Sequence, residues 1–131
     1  MGLKLSEIAE ILNAEVLTGH NRLDIFIDFA GATDFMSDLL SDDSENCLLL
    51  TGLNSIQAIR TAVISSIQAI VLVRGKSPLK EVIIEAKKHN LPLLSTRLTM
   101  FTACGRLFKN GIRGIDDKKR LSPKQKIQYK V

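Results

Sequence analysis

Apolar positions follow one kind of pattern up to about residue 46 and another beyond it. Leu5, Ile8, Ala9, Ile11 and Leu12 recur at helical spacing behind Ser6, a good N-cap, with Glu7 and Glu10 pointing away. This predicts a short amphipathic first helix. Ala14 to Leu17 reads as a strand that ends in the turn Thr18-Gly19-His20-Asn21. Leu23, Ile25, Ile27 and Phe29 alternate with Asp24, Phe26 and Asp28, the period of a half-buried strand, and Gly31 is expected to end it. Phe35, Met36, Leu39 and Leu40 predict a second amphipathic helix, followed by an acidic loop over 41–46.

From Cys47 the apolar positions run together. Cys47 to Thr51, Ala69 to Val73 and Leu91 to Ser95 are short and almost continuously apolar, as strands covered on both faces are. A helical pattern follows each: Ile56, Ala58, Ile59, Ala62 and Val63; then Leu79, Val82, Ile83 and Ala86; then Met100, Phe101, Ala103, Cys104, Leu107 and Phe108. Ser77-Pro78 predicts a capped helix start, and Asn110-Gly111 a helix stop. Strand and helix alternating three times imply an α/β fold with a short, mostly parallel sheet flanked by helices. We expect one domain over 1–111 and a basic, mobile tail over 112–131, because periodicity is lost after Gly114.

Composition adds three limits. A chain of 131 residues, 45% hydrophobic, can bury a core without disulfides, so disorder is excluded for most of its length. Aromatics make up 5%, with no Trp, which leaves little for base-stacking platforms. Cys47 and Cys104 each sit inside an apolar run and read as reduced, buried thiols. With no signal-peptide pattern and no membrane-length apolar run, the expected location is the cytoplasm, away from membranes. The net charge of +4 is unevenly placed: from Arg106 to Val131 nine basic residues face only Asp116 and Asp117. Such a tail could contact phosphates, but a charged terminus is more often simply solvated, and nucleic-acid binding is not favoured.

In an open parallel sheet, ligands gather at the carboxyl ends of the strands. Here those ends are Gly52, Asn54 and Ser55; Arg74, Gly75, Lys76 and Ser77; and Thr96 and Arg97. Each loop leads into a helix N-terminus, where free N–H groups favour an anion, so these nine residues are the candidate site for a nucleotide or other anionic ligand. The same residue types also serve ordinary strand-to-helix turns. Neither Gly52 nor Gly75-Lys76-Ser77 belongs to a Walker loop, so ATP hydrolysis is unsupported. His20 and His89 have no second ligand at a metal-binding spacing, and Asp24, Asp28 and Asp34 read as a solvated face. No catalytic set, metal or cofactor is indicated.

The order of segments, Leu5 to Leu12, Ala30 to Leu40, Leu48 to Gly52, Ala69 to Pro78 and Leu91 to Thr96, resembles a stand-alone DRTGG domain from about Lys4 to Asn110. Such domains accompany phosphotransacetylase catalytic domains and occur within CBS-domain pyrophosphatases, and the N-terminal domain of HPr kinases is similar. Where the family has Asp-Arg after a strand-end glycine, Gly52 is followed here by Leu53-Asn54; where it has Thr-Gly-Gly, Arg74-Gly75-Lys76 stands. The resemblance implies a non-catalytic regulatory or sensing domain acting as a homodimer. The alternative is a module that docks onto a metabolic or redox enzyme without any small ligand, through apolar surface around Phe26, Phe35 and Met36.

Overall fold

The computed structural model describes residues 2–39, 45–75 and 77–119. The chain opens with β1 (Leu3–Lys4), α1 (Leu5–Ile11) and β2 (Glu15–Thr18), then a 3-10 turn at His20–Arg22. β3 (Phe26–Ile27) and β4 (Phe29–Ala32) follow, with a second 3-10 turn at Met36–Leu39. The regular half comprises β5 (Cys47–Thr51), α2 (Ile56–Ile64), β6 (Ala69–Leu72), α3 (Lys80–Lys88), β7 (Leu93–Ser95) and α4 (Met100–Lys109). β8 (Arg113–Gly114) and α5 (Ile115–Lys119) complete it.

Six strands form one sheet in the order β2-β7-β6-β5-β4-β8, and a two-stranded ribbon pairs β1 with β3. Neighbours from β7 to β8 pair in parallel, while β2 runs antiparallel on the far edge. The expected α/β class is what the chain adopts. Every residue of β5 is buried, which explains its unbroken apolar run. Alternation splits that run between two cores. Leu48 and Leu50, with Val71 and Leu94, pack under α1 and α4 beside Leu5, Ile8, Ala103 and Leu107. Cys47 and Leu49, with Ile70 and Leu93, pack under α2 and α3 beside Ile59, Ala62, Val82 and Ala86. The result is a three-layer α/β/α arrangement.

The N-terminal part departs from the expected elements. The apparent strand from Leu23 to Phe29 is divided: Ile27 pairs with Leu3 in the ribbon, and Phe29 pairs with Cys47 in the main sheet. The break falls at Asp28, because the Asn46 carbonyl accepts from both the Asp28 and Phe29 N–H groups. Gly31, expected as a stop, lies inside β4. The Leu23 and Ile25 carbonyls accept from Ser6 and Leu5 N–H, so those neighbours satisfy the first turn of α1. Lys4 is therefore the N-cap, its own N–H donating to Glu7, and Ser6 sits within the helix. In place of an amphipathic helix at 35–40 there is the 3-10 turn, and Leu40 with residues 41–44 lies outside the described residues.

Ser77-Pro78 does not begin α3: Leu79 is its N-cap, and the Leu79 N–H donates to Asn54 Oδ1. At the other end, β8 extends the sheet past residue 111 and α5 packs against β4 and β8, so part of the segment expected as a tail belongs to the folded body. Residues 120–131 lie outside the described residues.

Candidate functional site

The carboxyl ends of β4, β5, β6 and β7 reach the same rim because the four strands are parallel neighbours in continuous register. Backbone bonds bind the exits to one another. Val73 N–H donates to the Thr51 carbonyl, Arg74 N–H to Leu98, Gly75 N–H to Thr96 and Thr96 N–H to Leu72. Arg74 and Gly75 both adopt left-handed φ, +69° and +66°. That geometry costs nothing at Gly75, but at Arg74 it costs about 1 kcal/mol or more, which the surrounding bonds must hold.

Eight of the nine candidates fall into two groups. Gly52, Asn54, Ser55 and Arg74 are engaged with protein partners. Ser55 caps α2, accepting from the Ala58 N–H. Asn54 ties two loops together, donating to the Ser77 carbonyl at 3.0 Å and accepting from Leu79 at 3.1 Å. Arg74 lies over Gly52, where its guanidinium occupies the space a Cβ would take. Its Nη2 is 3.7 Å from Asp34 Oδ2. Gly75, Ser77, Thr96 and Arg97, by contrast, line one pocket of about 490 Å³ together with Asn13, Glu15 and Ser95. Thr96 is buried and braces the wall: its hydroxyl donates to the Leu12 carbonyl at 2.7 Å and accepts from Leu98 N–H. Lys76 lies outside the described residues.

Asp34, expected on a solvated strand face with Asp24 and Asp28, is instead part of the site, just past the end of β4. Its Oδ1 accepts from Gly52 N–H at 2.7 Å and from the Thr51 hydroxyl at 3.0 Å. The Gly52 bond chiefly, aided by Thr51 and Arg74, holds its carboxyl below the ordinary range against an opposing effect of burial. Asp24 and Asp28 do not share this position, since they come before β4, whose carboxyl end Asp34 follows. The available signal was spacing: with β4 ending at Ala32, Asp34 falls just past a strand exit.

Among the described residues no cluster of three or more His, Cys, Asp or Glu is placed to hold a metal ion. Nor is any helix among them long and apolar enough to cross a membrane. His89 faces Glu85 at 3.1 Å, and Arg60 reaches the same oxygen, an ion-pair cluster between α2 and α3.

The DRTGG domain family model matches residues 7–109 of this chain. The chain belongs to the DRTGG domain family. A solved structure with the same fold contains the CBS and DRTGG domains of the regulatory region of Clostridium perfringens pyrophosphatase, complexed with its activator diadenosine tetraphosphate. It is 21% identical, with a TM-score of 0.61 over 79% of this chain. The match covers 45% of that structure's chain, so this DRTGG domain spans less than half of its length. No curated protein matches this chain.

Proposed function

We propose that this DRTGG domain is a non-catalytic cytoplasmic sensor that binds a nucleotide or related phosphate-bearing effector in the 490 Å³ pocket and acts as a homodimer. The observation that carries this reading is the convergence of Gly75, Ser77, Thr96 and Arg97 on one concave site at the carboxyl rim. Arg97 is exposed and supplies the cation that a phosphate needs. Glu15, which also lines the pocket and is paired with Ser95 across β2 and β7, offers an acceptor for ribose hydroxyls, as acidic residues do in other nucleotide-binding α/β folds. The volume suits a ligand the size of one nucleotide. The activator of the pyrophosphatase regulatory region is itself a dinucleotide, which supports the ligand class. For self-association, helices α2 and α3 expose Ile64 and Ile84, apolar surface that a second copy would cover.

The test is thermal melting of the full chain with AMP, ATP, GTP and diadenosine tetraphosphate. A ligand at a hundred times its Kd adds about 2.7 kcal/mol of stability, a rise of several degrees. Arg97→Ala is expected to lose that rise. If none of the four raises the melting temperature of the natural chain, the pocket does not serve this class. Light scattering tests the homodimer separately, and a strict monomer at high concentration rejects it.

A further inference from the structure

The charges on the nucleotide pocket limit how much phosphate it can hold. Of the residues that line it, Arg97 and Glu15 are the charged ones, one of each sign. Among the described residues neither is in an ion pair with another side chain. The Arg97 stem runs beside Gly75, whose φ is +66°: a Cβ there would come 3.5 Å from Arg97 Cγ. Glu15 pairs with Ser95 across β2 and β7, and Ser95 stands two residues before Arg97. Both charges are therefore set about the exit of β7.

Other donors at this rim are already engaged. The Arg74 guanidinium lies over Gly52 and within 3.7 Å of Asp34. Gly75 N–H donates to the Thr96 carbonyl, and the Thr96 hydroxyl to that of Leu12. Much of the remaining lining is apolar. Leu17 and Ile83 pack against the α2–α3 core, while Leu12 and Leu98 belong with the α1–α4 core. Such walls suit a base and offer nothing to a chain of phosphates.

We propose that the pocket selects nucleotides with a single phosphate, the nucleoside monophosphates, over the di- and triphosphates. The selection rests on the nucleotide reading above and narrows its ligand class. A phosphate monoester carries about 1.5–2 negative charges at pH 7. Arg97 answers it, and Lys76, which lies outside the described residues, is the one further cation of these exit loops that Asp34 does not hold. Counted together they match one phosphate, and Glu15 stands against more. Each further phosphoryl group adds negative charge with no cation to meet it. Charges act over about 8 Å at physiological salt, and a pocket of about 490 Å³ is of that scale, so Glu15 repels phosphates beyond the first. A repelling charge of this kind separates related ligands as effectively as an added contact does.

The experiment is calorimetric titration of the full chain, without divalent cations, with the mono-, di- and triphosphates of adenosine and of guanosine. In the series that binds, the monophosphate is expected to bind about five-fold or more tightly than the triphosphate, with the diphosphate between them, the scale on which one exposed charge acts. Glu15→Gln keeps the size of the side chain and removes the repelling charge. It is expected to shrink the preference about three-fold or more, chiefly by tightening the triphosphate. Glu15 is exposed on an edge strand, so an unchanged melting temperature of the free variant confirms that it is folded. A triphosphate that binds as tightly as its monophosphate overturns the selection and leaves the pocket reading standing. So does a preference that Glu15→Gln leaves unchanged. Failure of every nucleotide to bind overturns the pocket reading itself, and the selection with it.

Discussion

Asp34 and Arg74 meet across the backbone of Gly52: the guanidinium lies 3.7 Å from the carboxylate and fills the space above the glycine. The pair links the exits of β4 and β6 over the exit of β5 that separates them. It also occupies a cation that the residues alone would assign to a ligand. Both side chains are partly exposed, so the ion pair itself contributes little in water. The larger effect comes from the two hydrogen bonds that Asp34 accepts from Gly52 and Thr51.

Asp34→Asn tests that division. The amide keeps the shape but loses the charge that strengthens the Gly52 bond, and we expect a loss of about 1–2 kcal/mol at neutral pH. The pH dependence has a fixed sign, because the folded carboxyl lies below its unfolded value. Its stabilisation is fully present above the ordinary aspartate range, near pH 4, and is lost as pH falls through the folded value. Urea unfolding of the natural chain and the variant should show a clear gap at pH 7 that closes towards pH 3. A gap of equal size at both pH values would show that the charge plays no part.

Gly52→Ala probes the other side of the same relationship. The new methyl would overlap the Arg74 guanidinium, the far end of a flexible side chain, so it can be relieved by swinging Arg74 away from Asp34. The expected cost in stability is small, below about 1 kcal/mol. The freed guanidinium is expected to strengthen binding of phosphate-bearing ligands at the rim, read as a larger nucleotide-induced rise in melting temperature than the natural chain gives. An unchanged or smaller rise would show that Arg74 does not compete between Asp34 and the ligand.

The parallel half of the fold was legible because its strands are buried on both faces, so their apolar runs needed no knowledge of their partners. Cys47 to Thr51 and the helix beginning at Ile56 were readable for that reason. The N-terminal half was not, since Leu23 to Phe29 has one local period but two partners: Ile27 belongs to the ribbon and Phe29 to the main sheet. Periodicity reports which side of a strand is buried, never against what. The start of α3 shifted for a related reason, as a bond from Leu79 to Asn54 replaced the local cap at Ser77. At the site, the rim itself followed from strand order, whereas its division into a braced cluster and an open pocket depends on side chains that meet only after folding. The apolar patch expected around Phe26, Phe35 and Met36 is likewise divided. Phe26 lies on the ribbon next to Ile27, which is buried in the α1–α4 core, while Met36 packs against the α2–α3 core. The paired exposed aromatics are on α4 instead.

Thr96 is where rim and core meet, and it gives the sharpest separation of stability from binding. Its hydroxyl is buried, donates to the Leu12 carbonyl at the end of α1 and accepts from Leu98 N–H, so one atom fastens the N-terminal helix to the exit of β7. Thr96→Val keeps the volume but leaves a buried carbonyl and an N–H without this partner, and we expect it to cost about 1–3 kcal/mol. Thr96→Ser retains the hydroxyl and should recover most of that loss. Because the hydroxyl is committed to Leu12, the serine variant should also preserve the nucleotide-induced rise in melting temperature, measured as the difference between free and ligand-bound chain. If the valine variant were as stable as the natural protein yet lost that rise, Thr96 would be a ligand contact and not the brace its hydrogen bonds describe.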